Sequence, residues 1–307
     1  KTYISLPPEA YMSGYTVVHI AAIYGHIKCL KLCLKLFDGK TPKKYLEDNQ
    51  EKSSDSTPAH YIVLEGYDDC LKFLDNNGVN FNVANKYGDG VIHYAAKGGH
   101  VSCLKFLADK YIPLNIINNN GKTVAHYAAD EGHISCLKFL ADKSVDFNVA
   151  NKYGETIIYY ATRGGHISCL QFLADIDVYF NVIDNIGNTP AHIAAEYGHT
   201  NCLEFLLEYN PPYNMNITNI LGHTLAHSAA IYGHTNCLEF LSKYDIDFTL
   251  VDKSGNTIVH YAAKNGHLDS LNFMDERGMY LDKINKKNNK NSANYAEENG
   301  HQEILHF

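Results

Sequence analysis

One glycine-led motif returns along this chain at a nearly constant interval, and that interval restricts the possible folds more than any single residue does. Gly88, Gly121, Gly154 and Gly187 are each 33 residues apart, Gly222 follows after 35, and Gly255 after a further 33. Upstream, Gly14 opens an equivalent stretch. Asp55 takes the glycine's place 41 residues later, and Asn289 takes it near the end. Each unit reads G-x-T-x-x-H-x-A-A-x-x-G-H-x-x-C-L-x-F-L, most fully in GNTPAHIAAEYGHTNCLEFLLEY from Gly187 to Tyr209. A unit this short cannot bury an apolar face alone, so copies must stack and share a core. Length by itself suggests two globular domains. The repeats instead predict one domain, 1–307, of nine units opening near 14, 55, 88, 121, 154, 187, 222, 255 and 289. Insertions fall at 38–54 and, more briefly, at 210–213, each after a unit's second helix.

The residues within a unit predict its local shape. Thr before an apolar run caps unpaired backbone N–H groups. Pro58 and Pro190 follow it directly, at the first helical position, where a missing N–H costs nothing. Ala pairs such as Ala95-Ala96 and Ala128-Ala129 let neighbouring helices approach closely. The Gly-His step ends one helix and begins the next, in which Ile134, Leu137 and Leu140 share a face at helical spacing. Between units, FNVANKYG (81–88 and again 147–154) alternates in the manner of a strand and turn. This pattern closely resembles the ankyrin repeat, with its 33-residue period and T-P-L-H-x-A-A core, and it covers nearly the whole chain. The resemblance implies an all-α solenoid of helix-turn-helix units with β-hairpin fingers.

Two residue types suggest chemistry, and both are answered by position. Seven of the eight cysteines occupy one repeat slot: Cys29, Cys70, Cys103, Cys136, Cys169, Cys202 and Cys237. Stacked helices lie roughly 8–10 Å apart, beyond the roughly 7 Å that a disulfide spans. A row of buried thiols in a reducing compartment is expected, with Cys29 and Cys33 the one pair close enough to oxidise or share a metal. Histidines fill two columns. His19, His60, His93, His126, His192, His227 and His260 stand in the T-x-x-H slot. His26, His100, His133, His166, His199, His234, His267 and His301 stand in the Gly-His slot. No carboxylate or cysteine recurs beside them at a ligand spacing. The resemblance implies that the first column bonds around the Thr turn and that the second supports the inter-helix turn. No G-x-S-x-G, P-loop or H-E-x-x-H is present. The expectation is no enzyme, no catalytic residues, no metal and no cofactor.

Net charge −8 gives no reason to bind nucleic acid backbones, and no apolar run is long enough to span a bilayer. A soluble, cytoplasmic, monomeric array with protein partners is the expected class. Enrichment in Asn, Ile, Lys and Tyr hints at an A/T-rich genome, and so at a microbial effector acting in host cytosol. The alternative is the targeting or regulatory part of a larger enzyme or channel, since the chain begins at Lys1 rather than Met.

The resemblance implies that partners meet the finger tips and the exposed end of each first helix. Those positions give Tyr15, Tyr24, Tyr87, Tyr153, Arg163, Ile186, Tyr197, Ile220, Leu221, Ile231 and Tyr232 as candidate contacts, with repeats six and seven the most apolar. Tyr, Arg and large apolar side chains carry most binding energy at interfaces. LADKSVDFN, ending at Asn148, resembles the pattern that asparaginyl hydroxylases accept in ankyrin fingers. Asn148 is thus a candidate for hydroxylation, the plainer reading being an unmodified finger asparagine.

Overall fold

Each repeat builds the same local structure from the same residues, and Thr189 to Tyr209 illustrates it. The Thr189 hydroxyl accepts from the His192 N–H, while the His192 ring accepts from the Thr189 N–H, so both ends of the first turn are capped. Pro190 begins the helix, Pro190–Glu196. Gly198 takes φ +74° and reverses the chain. The second helix, Thr200–Tyr209, then buries Cys202, Leu203, Leu206 and Leu207.

A computed structural model describes residues 15–36, 54–209, 214–244 and 246–305. The insertions expected at 38–54 and 210–213, and the opening of the first repeat at Gly14, lie almost wholly outside them. Internal contacts divide the chain into two units, Lys1–Lys152 and Tyr153–Phe307. The first holds the helix pairs Val17–Ile23 with Ile27–Leu36, Pro58–Leu64 with Asp68–Asn76, Val91–Lys97 with Val101–Asp109, and Val124–Asp130 with Ile134–Asp142. Its core is the inward row Ile62, Leu71, Leu74, Ile92, Leu104, Leu107, Leu137 and Leu140, with the Ala pairs between them.

The second unit holds Ile157–Arg163 with Ile167–Asp175, Pro190–Glu196 with Thr200–Tyr209, Leu225–Tyr232 with Thr235–Leu241, Ile258–Lys264 with Leu268–Glu276, and Ser292–Asn299 with Gln302–Leu305. Leu170, Leu173, Leu203, Leu238 and Leu241 are fully buried there, each contributing roughly 2 kcal/mol of apolar burial. The fold is all-α, as the repeat pattern implies. No described helix is long and apolar enough to cross a membrane.

The fingers differ in detail from the expected hairpins. Among the described residues they close with single antiparallel bridges, Ala84 to Gly90, Ile117 to Thr123 and Asn285 to Lys290, rather than with laddered strands. Their tip N–H groups point sideways instead. In the first unit Asn119 donates to the Tyr87 carbonyl and Lys152 to Asn120, both at 2.9 Å. In the second, Asn185 donates to Tyr153 at 2.8 Å, and Ile220 to Ile186 and Lys253 to Leu221 at 2.9 Å. A donor spent on the neighbouring finger is not available for a ladder within its own. Where the repeat glycine is replaced, Asp55 and Asn289 keep its left-handed backbone at φ +58° and +59°. These are the non-glycine types that tolerate it best.

Candidate protein-binding surface

The histidines are structural fasteners, and the geometry shows how. His60 Nδ1 accepts the Thr57 N–H at 3.0 Å, so its proton sits on Nε2, which donates to the Asp89 carbonyl of the next finger at 3.1 Å. His192 repeats this with Thr189 and the His223 carbonyl, and His227 with Thr224 and the Asn256 carbonyl. Burial pushes all three rings down to about 4, because a charged imidazolium there would lose its hydration. Tyr159, which replaces histidine in repeat five, reaches the equivalent carbonyl of Asn188 with its hydroxyl at 2.6 Å. The second column ties each turn to the previous repeat. His133 donates to the Lys97 carbonyl, His199 to Arg163, His234 to Glu196 and His267 to Ile231, at 2.9–3.0 Å.

The cysteines are buried apart from the half-buried Cys29, and none forms a disulfide among the described residues. Burial pushes Cys103 and Cys136 up to about 12 and Cys169 and Cys202 to about 11. A thiol held that high is almost wholly protonated at neutral pH and is a poor nucleophile. No group of three or more His, Cys, Asp or Glu with metal-binding geometry occurs among the described residues.

A third column escaped the sequence reading. Asn85, Asn118, Asp184, Asn219 and Asp252 each stand three residues before a repeat glycine. Asn219 Oδ1 accepts the N–H groups of Leu221 and His223, and Asp184 Oδ1 those of Ile186 and Asn188. The Asn219 amide also donates to Asn188 Oδ1 of the preceding finger at 2.8 Å, as Asn118 does to Asp89. This column sets the finger tip and joins it to its neighbour. Aligning repeats three to eight and asking which slot holds only Asn or Asp would have found it.

With those columns assigned to structure, the remaining slots are the variable surface. Tyr24, Tyr87 and Tyr153 are exposed, at 54%, 51% and 57%. In the second unit Ile186 (46%), Tyr197 (44%), Ile220 (53%), Leu221 (50%) and Tyr232 (52%) are exposed as well. These five sit on adjacent repeats: the fingers of Ile186 and Ile220 are joined by a backbone hydrogen bond, and the His234 ring on which Tyr232 stacks donates to the Glu196 carbonyl beside Tyr197. Tyr197 and Tyr232 each stack on the histidine two residues on, His199 and His234, which holds the rings outward at a set angle.

Three of the expected contacts are less open. Tyr15 is half-buried edge-on against Tyr61, 5.6 Å between ring centres. Ile231 is half-buried. Arg163 is ion-paired with Glu155 and held over Tyr160 (4.9 Å) and Tyr197 (6.0 Å), so it supports the surface more than it projects from it. Asn148 is exposed, and its N–H donates to Asp146 at 2.8 Å.

A family model of ankyrin repeats matches residues 4–85, 59–151, 143–217 and 211–285. Among solved structures, the crystal structure of the human ASB11 ankyrin repeat domain aligns with a TM-score of 0.61 and 23% identity, covering 70% of this chain and 96% of that one. No curated protein matches the sequence.

Proposed function

Because the chain belongs to the ankyrin-repeat family, we propose that it is a non-enzymatic binding module that seats a protein partner on repeats six and seven. Ankyrin repeats are in general protein–protein interaction modules. The observation that carries the reading is the cluster Ile186, Tyr197, Ile220, Leu221 and Tyr232, five large side chains on adjacent repeats, each near half exposed. A contiguous apolar patch of this kind marks an interaction site more often than a chance surface. Tyr153 would extend the contact and Arg163 would brace Tyr197, while Tyr24 and Tyr87 are candidate partner contacts of the first unit. The Asn-, Ile-, Lys- and Tyr-rich composition supports a microbial effector in host cytosol as the setting, which a translocation reporter fused to the chain would test. Asn148, exposed in its finger, is open to hydroxylation, and intact-mass measurement of protein from its native source reads it.

Affinity purification with quantitative mass spectrometry tests the binding surface. The variant combining Tyr197→Ser, Leu221→Ser and Tyr232→Ser should lose its partner by at least about 100-fold, since hot-spot side chains are worth roughly 2 kcal/mol or more each. Its melting midpoint should stay within a few degrees, because all three side chains are solvent-facing. Equal recovery of partner by the variant would remove this surface from the account.

A further inference from the structure

Four Asn-Gly pairs occur in the chain: Asn77-Gly78, Asn120-Gly121, Asn265-Gly266 and Asn299-Gly300. In such a pair the glycine nitrogen can attack the preceding carboxamide carbon, with no Cβ to hinder the approach. In all four the glycine N–H donates to the carbonyl three residues back, at 2.8–3.4 Å. The carboxamides differ. Asn77 Nδ2 donates to the Phe73 carbonyl at 2.7 Å, and Asn265 to Ile231 and Asn299 to Tyr295 at 2.8 Å. Each of these three stands at the end of a helix. Asn120 stands at an exposed finger tip, and its carboxamide has no partner among the described residues. Only its backbone is engaged: the N–H donates to Asn118 Oδ1 and the carbonyl accepts the Lys152 N–H, both at 2.9 Å. The same slot, immediately before the repeat glycine, holds Tyr87, Tyr153, Ile186 and Leu221 in other repeats.

We propose that Asn120 is a self-modification site, where the Gly121 nitrogen turns the free carboxamide into a carboxylate on the variable surface of the first unit. The Gly121 N–H leaves the Asn118 carbonyl and gives its proton to solvent base. The nitrogen then bonds to Asn120 Cγ, and the Cγ–NH2 bond breaks to release ammonia. Water opens the resulting five-membered imide at either carbonyl. Opening at Cγ leaves aspartate in an unchanged main chain. Opening at the backbone carbonyl leaves isoaspartate, which lengthens the main chain by one carbon inside the turn from Asn118 to Gly121. Either way one water is consumed, one ammonia leaves, and the net charge of −8 becomes one unit more negative. A carboxamide already bonded to a carbonyl must first break that bond, so the other three pairs are held back by the fold.

The test is peptide mapping by mass spectrometry on the full chain held in mildly alkaline buffer, folded and, in parallel, unfolded in guanidinium chloride. In the folded chain Asn120 should convert at least about fivefold faster than Asn77, Asn265 or Asn299, the factor that one net hydrogen bond on each of those carboxamides is worth. In the unfolded chain the four should convert at similar rates. On ion exchange the folded protein should develop an acidic species that Asn120→Gln lacks. Conversion at Asn120 no faster than at the other three in the folded chain overturns the proposal. So does the same preference in the unfolded chain, which would trace it to local sequence rather than to the fold. An early acidic species that persists in Asn120→Gln overturns it as well.

Discussion

Stability to urea should fall steeply when the protein is moved from about pH 7.5 to about pH 5, above the range in which most carboxylates are protonated. The cause is the first histidine column. His60, His192 and His227 sit at about 4 in the folded chain and at the ordinary 6.5 when unfolded. The unfolded chain therefore binds protons first, and the folded state weakens as pH drops from about 6.5 towards 4. At pH 5 each of the three costs roughly 2 kcal/mol. His93 and His260 are lowered in the same direction. Glu196 acts oppositely, since its raised carboxyl favours the folded state on acidification, but it is one half-buried group against a column. Asp252 is lowered from 3.8, so its loss begins only below this window. Repeat five has Tyr159 in the slot and adds nothing to the acid loss. Urea midpoints at pH 7.5, 6 and 5 decide it. A midpoint that stays level would mean that the rings are accessible and ordinary, and the fastener role would fail.

The second large effect is expected at a turn. Gly233→Ala should destabilise the array by about 3 kcal/mol. Gly233 has φ +75°, which costs a residue with a Cβ about 1–2 kcal/mol. An added methyl would lie 2.5 Å from Nδ1 and 2.7 Å from Cγ of His267. That ring is held in place by its Nε2 bond to the Ile231 carbonyl at 2.9 Å, so it must leave to make room, losing roughly another 1 kcal/mol. Stability in a repeat array is a sum of unit and neighbour terms. The damage should therefore appear as early unfolding of the repeats around 222–276, readable by hydrogen exchange. An alanine variant within about half a kcal/mol of wild type, the range of ordinary surface substitutions, would contradict the close approach.

Much of this was legible because each structural slot demands one chemistry. Thr and His together close the first turn in most repeats, so T-x-x-H identified the helix starts before any coordinates. Gly-His identified the reversals for the same reason: a left-handed residue must precede a ring that reaches back to the preceding repeat. Cys at a fixed helical slot marked the buried face. The Asn/Asp column was missed because two residue types share it and its role is a loop, where no periodic apolar signal points. Sequence position makes Arg163 a candidate contact but says nothing of its ion pair. Its partner Glu155 lies eight residues away across a finger and a helix start, a distance at which sequence spacing carries no pairing rule, unlike the i,i+4 rule within a helix. The single-bridge fingers were likewise hidden, since alternation is the same whether tip N–H groups bond within a finger or to the next one.

The central claim is that the repeated slots hold the fold and the variable slots of repeats six and seven hold the partner. Hydrogen exchange of the chain with and without its purified partner measures it directly. Protection is expected at the finger tips around Ile186 and Ile220-Leu221 and at the first-helix ends around Tyr197 and Tyr232. Protection confined to the second helices, 200–209 and 235–241, with those four places unchanged, would contradict it.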